Sequence, residues 1–308
     1  MTILFAGTPE TAAESLISLV RQGAPISLVL TRLDAPVGRK RVSTPSPVAQ
    51  AALALGLPVI KTNSISTQVI EAIREAKISF GLVIAYGVIL REPALSALPK
   101  GWFNVHFSLL PKWRGAAPVQ RSLIAGDTVT GVTVFKIDAG LDTGDIVASV
   151  SAQIEPNENA TDLLRRLGGL GVSLLLEVIP QIQSGLIRLS PQSKDEVSIA
   201  SKISRAEAEL NFQHSAASLE NLVRGSNPEP GAWTKVQGVG DLKVFEARSH
   251  PSFALEPGQC CMVSGMVMVG CGQGSLELLE VQPAGKTRMS ASAWLRGLPT
   301  KVLLGSDV

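Results

Sequence analysis

Four continuous apolar runs constrain this chain most: "TILFA" at 2–6, "PISLVLT" at 25–31, "LPVIKT" at 57–62 and "SFGLVIAY" at 79–86. Between them lie stretches of helical period, "PETAAESLISLVRQG", "SPVAQAALALG" and "STQVIEAIREAK". A strand without polar alternation must be covered on both faces, so helices have to pack on both sides of the sheet these runs form. The expected fold is therefore α/β, a doubly wound, mostly parallel sheet. Gly7 ends the first run, Thr8 is placed to cap the following helix and Pro9 to start it. The turn reads Gly-Thr-Pro-Glu and lacks the Gly-x-Gly-x-x-Gly fingerprint, so no nicotinamide dinucleotide is expected.

After the long helical stretch "NATDLLRRLGGLGVSLLLEVIPQIQSG", the polar segment "LSPQSKDEVSIASKIS" holds few bulky apolar residues. It divides the chain into a first domain over 1–186, a linker over 187–203 and a second domain over 204–308. The second domain opens on a short helix, "SAASLENLVRG", and continues as "DLKVFEARS", "GQCCMVSG", "MVMVGCG" and "GSLELLEVQ". Short strands between Gly-containing turns predict a small OB-like β-barrel. With 308 residues, 45% of them hydrophobic, both domains can bury a core. Cys260, Cys261 and Cys271 have neither the number of a paired disulfide framework nor the spacing of a zinc site, and read as small apolar strand residues. No metal is expected. "MTILFAGTPE" lacks the basic start and long apolar core of a secretory signal, and "ISFGLVIAYGVIL" is too short to span a bilayer, so the expected location is the cytoplasm and no membrane partner is expected. A net charge of +2 leaves any polyanion contact to local patches.

Within "FNVHF", residues two apart share a strand face, so Asn104 and His106 meet the same space. Further on, "VTVFKIDAGLDTGDIV" runs a strand into a Gly-flanked loop carrying Asp138, Asp142 and Asp145, one of which could orient the imidazole. An amide donor, an imidazole and a carboxylate suit direct transfer of an acyl-type group to an amine: the amide meets the developing oxyanion, the His moves a proton, the Asp fixes its orientation and charge. No nucleophile elbow suggests a covalent intermediate. A histidine near a strand end can equally be a structural hydrogen-bonding residue, and Asp between glycines a turn former, and these residues alone leave both readings open.

The segment "NVHFSLLPKWRGAAPVQRSLIAGDTVTGVTVFKIDAGLDTGDI" resembles the signature region of the folate-dependent formyltransferases, and "FAGTPE", "SPV", "AYGVIL" and "VQPAGKTRMSA" extend the resemblance over nearly the whole chain. The branch it resembles implies transfer of a formyl group from 10-formyltetrahydrofolate to the amino group of methionine on initiator tRNA, with Asn104, His106 and Asp142 as catalytic residues. It places the folate at Ser108, Leu109, Leu110 and Pro111, at Tyr86, Gly87, Val88, Ile89 and Leu90, and on the loop from Asp138 to Asp142. Asn104 is then expected to hold the oxyanion, His106 to polarise the formyl carbonyl, and Asp142 to favour the protonated imidazole by charge attraction. Phe107 departs from the family, which carries a small residue there, so the pocket or its strand packing is expected to differ.

"TRLDAPVGRKRVSTPSPV" at 31–48 is long and basic, with Arg32, Arg39, Lys40 and Arg41. Such a loop can reach phosphates, and the resemblance assigns Arg39, Lys40 and Arg41 to the initiator methionyl-tRNA. In the second domain Lys243, Arg248, Lys286 and Arg288 could form a further patch. A monomer is expected. The competing readings are formyl transfer to a small amine, either glycinamide ribonucleotide or an amino sugar, and RNA binding without catalysis.

Overall fold

The computed structural model describes residues 1–38, 41–251, 255–298 and 302–305. The four apolar runs form the parallel strands β1 (Thr2–Gly7), β2 (Ile26–Thr31), β3 (Val59–Lys61) and β4 (Ile78–Ile84); β5 (Trp102–His106) runs parallel to β4, and β6 (Val129–Lys136) and β7 (Ile146–Gln153) continue the sheet. Their order across the sheet is β7-β6-β5-β4-β1-β2-β3, with β6 antiparallel to both its neighbours. The chain reverses its direction of winding between β1 and β4, which puts a crevice at the carboxyl ends of the central strands.

Helices α1 (Glu10–Arg21), α2 (Pro47–Ala54) and α3 (Thr67–Glu75) connect the first four strands. Ser46 and Ser66 cap α2 and α3 by accepting from Ala49 N–H and Val69 N–H. Thr8, expected to cap α1, does not: the N-cap is Pro9, without a side-chain bond, and the Thr8 hydroxyl donates to the Tyr86 carbonyl at 2.7 Å. That bond ties the ends of β1 and β4 together. Gly7 makes the approach possible, because a Cβ there would lie 2.9 Å from the Ile84 carbonyl oxygen and 2.8 Å from Ala12 Cβ.

The sheet and its helices fall in one of two compact units, made of residues 1–115, 129–153 and 164–199; the other comprises 116–128, 154–163 and 200–308. Helix α5 (Ala160–Ser184) crosses β5 and β6 closely, since a Cβ on Gly171 would stand 3.0 Å from Val105 Cγ1 and 3.6 Å from Val132 Cγ1. Phe107 reaches the same glycine and is buried. It lies on the face opposite His106, so the large side chain fills space beneath α5.

In the second unit, β8 (Trp233–Val236), β9 (Gly240–His250), β10 (Gln259–Val263), β11 (Met266–Gly270), β12 (Ser275–Pro283), β13 (Met289–Ser290) and β14 (Val302–Leu303) make one sheet. It runs β8-β9-β12-β11-β10-β14 with β13 beside β12, and an antiparallel bridge from Val236 to Leu304 brings its two edges together. This is the expected small barrel. Leu242, Val244, Leu276, Leu278 and Trp294 fill it, with Leu219 and Val223 of α6 (Ala216–Ser226) against the same core. Helix α4 (Pro118–Ala125) packs on α6 at Gly225, where a Cβ would come within 2.8 Å of the Gln120 carbonyl oxygen. Cys260 and Cys271 are buried and Cys261 half-buried; none is bonded to another, and burial pushes the Cys260 thiol up to about 12.

Candidate active site

His106 is the last residue of β5, and the chain turns back sharply behind it. The Ser108 hydroxyl donates to the Lys112 carbonyl at 2.6 Å, while the Thr133 hydroxyl donates to the Ser108 carbonyl at 2.7 Å and accepts from Leu110 N–H at 3.2 Å. This turn returns the Trp113 carbonyl to His106 Nε2 at 2.8 Å. A carbonyl only accepts, so Nε2 carries the proton of the neutral ring and Nδ1 keeps its lone pair. Nδ1 faces Asp142 Oδ2 at 3.7 Å, a distance for charge attraction rather than a hydrogen bond.

Asp142 is held by its surroundings. Its Oδ2 accepts from Gly115 N–H at 2.7 Å, two residues beyond the carbonyl that holds His106. Its φ of 51° lies in the left-handed region, which costs a non-glycine residue of order 1 kcal/mol and persists only where neighbours enforce it. The Asp138 carboxylate accepts from Gly140 N–H at 3.0 Å and from the Thr143 hydroxyl at 2.8 Å, which closes the loop. Gly144 then passes so near β6 that a Cβ would stand 1.7 Å from the Lys136 carbonyl oxygen.

Burial lowers the His106 pKa below its ordinary 6.5, and the Asp142 charge and the Trp113 carbonyl offset this only in part. The Asp142 charge favours the protonated imidazole, as expected, but burial opposes it more strongly. Taking ionised groups out of water is the larger effect here. Asn104, on the same face and half-buried, enters no hydrogen bond through its amide with another described residue.

A groove of about 450 Å³ opens beyond the ends of β3 and β4, lined in part by Asn63, Gly87, Val88, Ile89, Arg91 and Glu92. Of the five residues expected there, Tyr86 and Leu90 turn their side chains into the core, Gly87 and Ile89 are exposed, and Val88 is half-buried. Ser108 and Leu110 are buried, Leu109 packs over Gly131, Pro111 is half-buried and Asp138 is exposed. Arg32 donates to Asn63 Oδ1 at 3.3 Å, beside the groove. The basic stretch is a short hairpin, Ala35–Val37 against Val42–Thr44, with Arg41 exposed in its turn; Arg39 and Lys40 lie outside the described residues. Arg288, counted in the barrel patch, pairs with Glu280 at 2.5 Å. The groups that hold the site but escaped the sequence are the Trp113 carbonyl, Gly115 N–H, Thr133 and the Gln192 amide, which donates to the Asp142 carbonyl at 2.8 Å. Among the described residues no cluster of three or more His, Cys, Asp or Glu could hold a metal, and no helix is long and apolar enough to cross a membrane.

At the end of β5 an imidazole with one ring nitrogen left over by the Trp113 carbonyl faces a carboxylate, and an unengaged amide shares its strand face. The formyl transferase profile matches residues 1–179 and that of the formyl transferase C-terminal domain residues 202–299, and the chain belongs to this family. Within it, the chain is 43% identical to a methionyl-tRNA formyltransferase of Clavibacter michiganensis subsp. michiganensis over 98% of both chains. It is 44% identical to that of Paenarthrobacter aurescens over 97% of this chain and 98% of the relative. Its fold matches an N-formyltransferase from Helicobacter canadensis, solved with folinic acid and dTDP-3-aminofucose, with a TM-score of 0.67 at 19% identity, covering 90% of this chain and 98% of that one.

Asp142→Asn removes the charge that raises the His106 pKa and leaves burial, which lowers it. The expected result is a histidine midpoint shifted further down in an NMR titration, together with slowed transfer. A midpoint that stays in place or rises contradicts the pairing.

Proposed function

We propose that the chain transfers the formyl group of 10-formyltetrahydrofolate to the α-amino group of methionine on initiator tRNA. The observation that carries this reading is the likeness to methionyl-tRNA formyltransferases across 98% of the chain, and the convergence of Asn104, His106 and Asp142 supplies the chemistry. The groove beside Gly87, Val88 and Ile89 has the size of a small-molecule site and stands at the carboxyl edge of the sheet, where α/β folds bind ligands. We assign the folate to it.

The amine attacks the formyl carbon, and the Asn104 amide donates to the formyl oxygen as it gains charge. His106 takes the ammonium proton at Nδ1, and Asp142 steadies the imidazolium as it forms. The bond from the formyl carbon to N10 then breaks and N10 takes up a proton, leaving formylmethionyl-tRNA and tetrahydrofolate. An imidazole whose pKa burial lowers suits this order, because it must accept a proton before it can give one.

Incubation with formyl-labelled donor and, separately, methionyl-tRNA, glycinamide ribonucleotide and a nucleotide-linked amino sugar tests the reading. Label is expected on methionyl-tRNA. Label on a small amine alone, or tRNA binding without turnover, overturns it. Arg39, Lys40 and Arg41 are assigned to tRNA phosphates, so Arg39→Ala should weaken tRNA engagement and flatten its salt dependence while folate affinity stays unchanged. Normal formylation at both low and high salt contradicts that assignment.

A further inference from the structure

We infer that Gln192 is a positioning residue for the transfer reaction, clamping the loop that carries Asp142 to the segment that holds His106. The inference rests on the function proposed above. The Gln192 amide donates to the Asp142 carbonyl at 2.8 Å and to the Gly144 carbonyl at 2.8 Å. Its own oxygen accepts a fork from Arg114, Nε at 3.0 Å and Nη2 at 2.7 Å. Both donors and the acceptor are thus engaged, and flipping the amide would turn its N–H groups against a guanidinium, so the orientation is fixed.

The clamp closes a circuit around the site. Trp113, Arg114 and Gly115 are consecutive: the first holds His106 by its carbonyl, the second holds Gln192, and the third holds the Asp142 carboxylate by its N–H. The segment that delivers Gln192 is pinned on both sides. Ser190 exchanges backbone hydrogen bonds with Ile146 at the start of β7, and Ser198 accepts from Trp113 N–H through its hydroxyl and from Arg114 N–H through its carbonyl. Asp142 sits at a backbone conformation it would leave if released. Gln192 touches neither the imidazole nor the carboxylate, so its effect passes through the main chain at 142 and 144.

Two variants separate this role from general stability. Gln192→Met keeps the length of the side chain and removes every polar contact. Gln192→Glu keeps an acceptor for Arg114 but offers the Asp142 and Gly144 carbonyls an acceptor in place of their donors. Both are expected to lower kcat for formyl transfer about 10- to 100-fold, as misplacement near 1 Å does, with the KM for methionyl-tRNA within about threefold of wild type. In Gln192→Met without substrates, the His106 NMR midpoint should also fall, since Asp142 is the charged group acting on it and would draw away. The chain has only three histidines, which makes the assignment tractable. Wild-type kcat in the Glu variant, or an unmoved His106 midpoint in a folded Met variant, overturns the clamp. Should the Met variant fail to fold, kcat of the Glu variant decides. If the wild-type chain formylates no methionyl-tRNA, the functional reading fails on its own, and the titration still decides the clamp.

Discussion

His106→Ala is expected to slow formyl transfer by about 100-fold or more, the usual loss when a general acid or base is removed. The substitution removes the hydrogen bond from His106 to the Trp113 carbonyl, a stability cost of about 0.5–1.5 kcal/mol, which a domain of this size should survive. Circular dichroism and a thermal scan establish that the variant is folded. Asn104→Ala is expected to fall by a similar factor, because an oxyanion donor is worth about 100- to 1,000-fold in kcat. The two should differ in pH dependence: Asn104→Ala keeps the acidic limb set by His106, below pH 6.5, whereas His106→Ala loses it. A folded variant that transfers at nearly the wild-type rate would falsify the role of that residue.

Gly144→Ala, one methyl group added away from any reacting atom, is expected to match these losses. The new Cβ would meet the Lys136 carbonyl oxygen at 1.7 Å, and neither atom belongs to a side chain that could rotate aside. Either the β6–β7 turn moves outward, carrying Asp142 off His106, or the sheet edge yields. Overpacking of side chains costs about 1–3 kcal/mol, and a backbone collision should reach or exceed the top of that range. The expected result is therefore a lowered unfolding midpoint and transfer reduced about 100-fold or more in whatever remains folded. Wild-type midpoint and wild-type rate together would show that the loop does not need this close passage.

The sheet and the pair Asn104 and His106 were legible because both depend on side-chain period: apolar runs mark buried strands, and alternation on β5 assigns the face. The same alternation sends Phe107 to the other side, under α5, so the departure at that position concerns packing there rather than the site's face. Charge state was not legible. Proximity of an acid favours protonation, and that direction holds, but the burial that outweighs it depends on the whole fold around His106. The Trp113 carbonyl and the Gly115 N–H escape any residue-type pattern, since every residue has such groups. Gln192 sits 50 residues from Asp142 in a polar stretch whose composition resembles a linker, and nothing in that composition tells which amide finds a partner. Thr8 has the chemistry of a cap and is drawn instead to the Tyr86 carbonyl.

Helix α4 lies in sequence between β5 and β6, the two strands that flank the turn behind His106, yet its buried Val119 and Leu123 belong to the unit that contains the barrel. Its neighbour α6 meets it through Gly225, too closely for any larger residue. A chain shortened to residues 1–186 would thus keep α4 but strip away the helix against which it folds, exposing apolar surface in the middle of the catalytic sequence. A single cut after the first domain therefore does not separate the barrel cleanly from it. A chimaera joining residues 1–186 to another carrier would have to bring a replacement for α6 with it.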